Sequence, residues 1–185
     1  PFTADANTLL LTCQNNTIRD NSTNNFTLTP TAYSTTLTPV AVSPFTPSSY
    51  TSTTVPTTYG SGYFDGSGDY ISISNSQSYY FGTGDFTVEF WMYITTAWTS
   101  NQGPGIGQKA SDSYGGWVIY RNNTVNTSYI SIRLGGQGGG GGGDYATTVT
   151  PTQNSWQHWA VVRSGTTLTW YCNGVSCGVT TGVST

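Results

Sequence analysis

Hydrophobic and polar residues alternate along much of this chain, with the two-residue period of a β-strand. In residues 85–94 the even positions are apolar, and the odd positions carry polar or aromatic side chains, including Trp91 and Tyr93. This alternation predicts a long strand whose even side chains enter a core while Trp91 and Tyr93 face away from it.

A hairpin is predicted close to the end of the sequence. Residues 156–163 and 167–172 have strand patterns, and Asn173-Gly174 follows directly. Asn-Gly between strands is a strong hairpin signal, because both turn positions need a positive φ. Six further strands are predicted, and no segment has helical spacing of apolar residues; the strands are 8–12, 62–64, 70–74, 117–121, 129–134 and 145–149. The pattern therefore indicates an all-β sandwich or barrel.

Two segments lack a core pattern. Residues 29–59 are rich in Thr, Ser and Pro, which predicts an extended arm lying over a surface. Residues 135–143 are glycine except for Gln137, and a strand follows them, so a flexible rim loop is expected and not a phosphate site. We expect a linker and first strand in 1–28, the arm in 29–59 and the main sandwich in 60–185.

Charged residues are few. The 185 residues include 5 Lys and Arg and 8 Asp and Glu, for a net charge of −3. Hydroxyl and amide side chains then supply the polar surface, as in many secreted and fibrous surface proteins, so we expect an extracellular location. Nucleic acid is excluded as a partner, because the sequence has no basic stripe. No apolar run is long enough to span a membrane.

Four motifs in order identify a family. They are GYFDGSGDY at 62–70, FGTGDFTVEFW at 81–91, NSWQHWAVVRSG at 154–165 and TWYCNG at 169–174. Together they resemble laminin-G-like modules of the concanavalin A-like lectin/glucanase superfamily. Residues 7–13, 19–22 and 25–27 are also similar to modules strung in tandem in large virion or surface proteins of aquatic phages and bacteria, which implies an extracellular or virion-surface location. The resemblance implies an antiparallel jelly-roll β-sandwich, here carrying the extended arm.

No enzymatic activity is expected. Glycanases of this fold use paired carboxylates, whereas Glu89 is the only Glu and has no acidic partner along its strand. His158 is the only His, and a structural role is expected for it.

Four aspartates are weak candidates for binding a calcium ion. Asp65 and Asp69, and separately Asp112 and Asp144, lie in segments that could offer oxygen ligands to calcium. The alternative is a turn in which the Asp65 side chain accepts hydrogen bonds from nearby amides. We expect no cofactor, with calcium as the exception to test.

Aromatic residues outside the predicted core are the better functional signal. Two interpretations stay open: their rings bind sugars, or they pack against the arm or a neighbouring subunit, which we favour. The residues are Trp91, Tyr93, Trp98, Tyr114 and Tyr145.

A disulfide is predicted between Cys172 and Cys177, because both lie on the same face of the strands beside Asn173-Gly174. Cys13 would then be free or paired between chains.

These observations favour a structural or adhesive unit of a virion appendage, such as a tail fibre or capsid decoration, or of an extracellular filament. Its partners would be copies of itself or adjacent modules. The alternative is a lectin-like domain that binds surface glycans. Family modules continue with further strands after the Asn-Gly hairpin, so we expect the closing strands to come from beyond residue 185 or from a neighbour. Residues 1–185 alone should therefore associate.

Overall fold

The protein is an antiparallel all-β structure of the jelly-roll class. A computed structural model describes residues 3–14, 17–31, 38–40, 43–45, 60–74, 79–95, 105–109, 116–122, 129–135 and 143–183. Within these ranges there is no α-helix, and accordingly no helix that could cross a membrane.

Twelve strands are described. They are β1 (Leu28–Thr31), β2 (Thr38–Val40), β3 (Ser61–Tyr63), β4 (Tyr70–Ile73), β5 (Phe86–Tyr93), β6 (Gly105–Lys109), β7 (Trp117–Asn122), β8 (Tyr129–Leu134), β9 (Asp144–Ala146), β10 (Trp156–Ser164), β11 (Thr167–Cys172) and β12 (Val175–Thr180).

The strands fall into two compact units. The first, Pro1–Ser76, contains the antiparallel pairs β1–β4 and β2–β3. The second, Gln77–Thr185, contains two four-stranded sheets. Sheet I has the order β12-β11-β10-β5, and sheet II has the order β6-β7-β8-β9.

The core of the second unit lies between sheets I and II. Sheet I contributes Trp159, Val161, Leu168 and Trp170, and sheet II contributes Ile119, Ile130, Ile132 and Leu134. The even side chains of β5 pack against this cluster, as the alternation predicted. Because the inner face of each sheet is filled, the odd positions of β5 and the even positions of β10 lie on the outer face of sheet I.

A β-bulge in the β11–β12 pairing lies where β12 contacts the chain that follows β9. The pairing of β11 with β12 shifts between Trp170 and Tyr171, which leaves Cys177 without a directly opposed residue. The Cys177 carbonyl accepts hydrogen bonds from the Thr148 amide at 2.6 Å and the Thr148 hydroxyl at 3.0 Å. At the next residue, Gly178, a Cβ would lie 2.9 Å from the Ala146 carbonyl oxygen. Glycine is therefore needed where the chain after β9 crosses β12.

The buried guanidinium of Arg163 donates hydrogen bonds to three loops at one end of sheet I. Arg163 is 3% exposed. It donates from Nε to the Gly165 carbonyl at 3.0 Å, from Nη1 to the Gly82 carbonyl at 3.0 Å, and from Nη2 to the Val183 carbonyl at 3.2 Å. The Val183 amide in turn donates to the Thr166 carbonyl at 2.9 Å. We call this set of contacts the Arg163 clamp.

The strand predicted at residues 8–12 is wrong, because no strand forms there in the first unit. The Asp20 carboxylate instead organises the segment, accepting from the amides of Leu11 (3.1 Å), Ser22 (2.8 Å) and Phe26 (2.9 Å). It also accepts from the Ser22 hydroxyl at 2.8 Å. Within residues 8–12, the Leu11 amide is bonded to this side chain and the Thr8 amide to the Asp5 carbonyl at 3.2 Å, so neither amide needs a partner strand.

Three strands were missed. Parts of the predicted arm form strands that pair with β4 and β3: β1 includes Pro30, and β2 includes Pro39. Both are edge strands of two-stranded pairs, where proline is tolerated. Strand β6 was missed because its sequence, GIGQK, has one apolar side chain. The predicted boundaries of the linker, arm and main sandwich stay a prediction.

Candidate functional site

The outer face of sheet I carries a group of aromatic side chains. Tyr93 is 41% exposed, and Trp91 and Trp156 are partly buried. None of the three belongs to the core cluster. The predicted outward orientation of Trp91 and Tyr93 is confirmed, and their role as contacts stays a prediction.

Strand register pairs these rings across β5 and β10. His158 lies opposite Trp91, and Trp156 lies opposite Tyr93. The ring centroids of Trp91 and His158 are 5.1 Å apart with planes tilted by 44°, and those of Tyr93 and Trp156 are 5.5 Å apart with a tilt of 59°. Aromatic pairs favour such tilted arrangements. The four rings therefore form two adjacent cross-strand pairs.

A carboxylate lies beside the rings. Glu89 Oε2 is 3.3 Å from His158 Nε2, within ion-pair range, although the two atoms are not aligned as a hydrogen bond. The Glu89 side chain is 42% exposed and that of His158 21%. The carboxylate thus remains in contact with solvent while His158 contacts it on one side. We call Glu89, Trp91, Tyr93, Trp156 and His158 the aromatic face.

The Asn-Gly turn fixes the position of His158. Asn173 and Gly174 have φ values of 50° and 78°, as predicted for this hairpin. The Asn173 side-chain oxygen accepts from the His158 amide at 2.9 Å, and the Asn173 amide donates to the His158 carbonyl at 2.8 Å. Asparagine therefore serves both the turn and the backbone of His158.

A small residue lies at the edge of the aromatic face. Ala160 is opposite Glu89 on one side and Tyr171 on the other, and it is 7% exposed. Ala160 is therefore nearly covered, between Glu89 on one neighbouring strand and Tyr171 on the other.

The other predicted contact residues do not join this face. Tyr145 packs against the core cluster, so its placement at the surface is corrected: β9 turns its ring inward. Its carbonyl also accepts from Trp170 Nε1. Trp98 and Tyr114 lie outside the described residues.

The calcium candidates have other roles where they are described. Asp65 Oδ1 accepts from the Ser67 amide at 2.7 Å, and Asp69 Oδ2 accepts from the Asp65 amide at 3.0 Å, which is the turn predicted as the alternative. Within the described ranges, no three His, Cys, Asp or Glu side chains are grouped to hold a metal ion. Asp112 lies outside those ranges.

Asp144 forms an ion pair with Arg133. Arg133 donates from Nε to Asp144 Oδ1 at 2.6 Å and from Nη2 to Oδ2 at 2.7 Å. Burial tends to raise the pKa of Asp144, but the hydrogen bonds from Arg133 and Tyr120 and the Arg133 charge lower it overall. Burial and Asp144 raise the pKa of Tyr120 to about 12. The Arg133 guanidinium thus already neutralises the Asp144 carboxylate, which a calcium ion would need as a ligand.

All three cysteines are free thiols, so the predicted Cys172–Cys177 disulfide is not formed in this structure. Both side chains do face the core cluster, as the hairpin pattern implied. The register sets Cys172 opposite Val175, and the bulge removes Cys177 from a directly opposed position. Pairing under oxidising conditions stays a prediction.

Sequence reasoning missed the grouping of Glu89, Trp156 and His158 with Trp91. Alternation places Trp156 and His158 on one face of β10, but the register against β5 decides which rings meet. The available signal was the pairing of two alternating strands, each with aromatics on its polar face.

Comparison with known proteins adds one match. A laminin-G family model, described as the concanavalin A-like lectin/glucanases superfamily, matches residues 65–185. No curated protein and no solved structure matches the chain. The match covers more than half of the sequence and agrees with the antiparallel sandwich, and the chain therefore belongs to the concanavalin A-like lectin/glucanases superfamily.

Proposed function

We propose that this chain is a non-enzymatic adhesive or structural module of a virion appendage or extracellular filament, and that it works through the aromatic face. Members of the superfamily include lectins and glucanases, so fold alone does not choose among these activities. The observation that carries the proposal is the set of tilted rings on the outer face of sheet I, of which Tyr93 is exposed. Exposed aromatic side chains beside polar ones are typical of contact surfaces.

The carboxylates of sheet I are badly placed for glycoside hydrolysis. Asp85, on the same side of the chain as Glu89, is separated from it by about 13 Å of extended strand. Retaining and inverting glycosidases need separations of about 5 and about 6.5–9.5 Å. Asp85 Oδ1 is moreover bonded to the Gly165 amide at 2.7 Å. This supports a binding role for Glu89 rather than a catalytic one.

Hydrolysis and contact can be tested separately. We expect purified protein to release no reducing sugar from β-glucan, agar or alginate. Release that Glu89→Gln abolishes would contradict the non-enzymatic role. For contact, we expect self-association by analytical ultracentrifugation or attachment to a glycan surface, and we expect Trp91→Ala/Tyr93→Ala to reduce whichever occurs. A monomer that binds no glycan would refute the adhesive and structural roles together.

A second candidate, a glycan-binding lectin-like domain, has its own support. Glu89 lies 3.3 Å from His158, whose ring contacts Trp91, so acceptor, imidazole and indole are adjacent on the outer face of sheet I. Aromatic side chains with a few polar groups line many small-molecule sites.

A further inference from the structure

The tip of the β11–β12 hairpin has the sequence that most favours deamidation of an asparagine. In this reaction the backbone nitrogen of the following residue attacks the side-chain carbonyl carbon, a five-membered succinimide forms, and the side-chain nitrogen leaves as ammonia with the displaced amide proton. Water then opens the ring, which gives either aspartate or isoaspartate. Gly174 follows Asn173, and this is the only Asn-Gly pair in the sequence. Because glycine has no Cβ beside its nitrogen, this pair is the least hindered in the chain.

The tip is also open to the water that the reaction consumes. Asn173 and Gly174 are both exposed, and a Cβ built on Gly174 would meet nothing within 4 Å among the described residues outside its chain neighbours. Asn25 and Asn154 are likewise exposed and have positive φ, but neither precedes a glycine. They therefore serve as comparison sites within the same molecule.

Two hydrogen bonds hold Asn173 in its unreacted form. Its side-chain oxygen accepts from the His158 amide at 2.9 Å, and its own amide donates to the His158 carbonyl at 2.8 Å. This pair extends the β10–β11 ladder one step beyond Trp159 and Cys172, with a side-chain oxygen in place of a backbone oxygen. A side chain anchored on the neighbouring strand is not free to turn its carbonyl carbon onto the Gly174 nitrogen. Reaction therefore requires the bond to His158 to break.

We propose that Asn173 is a site of spontaneous deamidation, and that local opening of the hairpin controls its rate. Turns at the ends of ladders open more readily than the centres of sheets. The only co-reactant is water, and the reaction is independent of any partner of the aromatic face. The amount of modified Asn173 then records how often this end of sheet I has opened.

The two products have different effects on the hairpin. Aspartate leaves the main chain unchanged, and its carboxylate accepts from the His158 amide as the amide oxygen did. Isoaspartate adds one methylene to the main chain of a two-residue turn, which is closed by φ values of 50° at Asn173 and 78° at Gly174. The lengthened turn should lose the ladder step to His158. Isoaspartate therefore releases the backbone of a residue of the aromatic face, and both products add a negative charge to the hairpin.

Ageing of the full chain under reducing conditions tests the site. Protein is incubated at pH 8 and 37 °C, in buffer and in guanidinium chloride, and its peptides are separated by chromatography and identified by mass spectrometry. We expect Asn173 to convert before Asn25 and Asn154 in both samples, and at least tenfold more slowly in buffer than in denaturant. Earlier conversion at Asn25 or Asn154, no conversion of Asn173 in denaturant, or equal rates in the two samples overturns the proposal.

Gly174→Ala is the control for the attacking nitrogen. It adds a Cβ beside that nitrogen and should slow conversion at least tenfold in denaturant, where the positive φ of the turn imposes no strain. An unchanged rate in denatured Gly174→Ala would show that the reaction does not pass through attack by this nitrogen.

Hydrogen exchange followed by NMR distinguishes the two products. In aged wild-type protein, the fraction of molecules with an unprotected His158 amide should equal the fraction with isoaspartate at position 173. Asn173→Asp supplies the aspartate product alone and should keep the His158 amide protected. Loss of protection in Asn173→Asp, or full protection in protein rich in isoaspartate, overturns the role assigned to the bond between Asn173 and His158.

Discussion

Trp170 Nε1 donates a hydrogen bond to the Tyr145 carbonyl at 2.9 Å, and so connects the centre of sheet I to edge strand β9 of sheet II. Trp159 is as deeply buried, at 0% exposure, but its Nε1 has no hydrogen-bond partner among the described residues. The two core tryptophans therefore contribute differently, although both fill the same cluster.

Replacing each tryptophan by phenylalanine should reveal this difference. Both changes remove similar volume, but Trp170→Phe also leaves the Tyr145 carbonyl without its donor, whereas Trp159→Phe removes an unsatisfied donor. We expect Trp170→Phe to lower the free energy of unfolding by about 3 kcal/mol and Trp159→Phe by about 1–2 kcal/mol. Urea denaturation measures both. Equal losses would show that the indole hydrogen bond contributes nothing.

The Arg163 clamp should matter for stability. Arg163→Met keeps much of the side-chain volume but removes donors from three loop carbonyls, so we expect a loss of about 3 kcal/mol in the free energy of unfolding. Arg19→Met is the matched control, since Arg19 is exposed and donates to Asn21 at 2.8 Å. The control should change stability by less than about 0.5 kcal/mol. A similar small change in Arg163→Met would contradict the role of the clamp.

Acid should destabilise residues 9–26, in which backbone amides donate hydrogen bonds to Asp20. Burial tends to raise the pKa of Asp20, but donation by the amides of Ser22, Phe26 and Leu11 lowers it below its usual 3.8. A depressed pKa contributes stability above pH 3.8, and this contribution is lost as the pH falls through the folded-state value. Asp20→Asn should remove about 2 kcal/mol at pH 7 and little in strong acid.

Hydrogen exchange of residues 9–26 between pH 7 and pH 2 measures this effect. Protection should fall with pH in the wild type and vary little in Asp20→Asn. Equal pH dependence in both proteins would assign the acid sensitivity to another group.

The buried thiols should react slowly. Burial and the neighbouring Cys172 raise the pKa of Cys177 to about 11, and burial raises the pKa of Cys13 and Cys172. Since the thiolate is the nucleophile, iodoacetamide at pH 8 should label the folded protein slowly. In denaturant all three should be labelled after reduction.

The same mapping tests the predicted disulfide. Protein isolated under oxidising conditions and denatured without reductant should show unlabelled Cys172 and Cys177. Labelling of all three thiols in that sample would end the disulfide prediction.

Much of sheets I and II was predictable from alternation alone. Strands at Tyr129–Leu134 and Thr167–Cys172 were predicted to the residue, because each has a clear apolar face and a turn or glycine signal after it. Residues 8–12 misled the prediction, since the Leu11 amide donates to the Asp20 side chain, and no local pattern reports a partner nine residues away. Register was equally inaccessible, so the contact of Glu89 with His158 could not be predicted.

We expect Arg163 also to affect how the sandwich responds to mechanical tension. Strand β12 is an edge strand, and an edge strand pulled from one end unzips with one ladder bond breaking after another. Tension applied to the chain at Val183 first meets two bonds together, from Arg163 Nη2 to the Val183 carbonyl and from the Val183 amide to Thr166. The guanidinium passes that pull to Gly165 and Gly82. The force is thereby shared among three loops of the second unit before β12 can peel from β11.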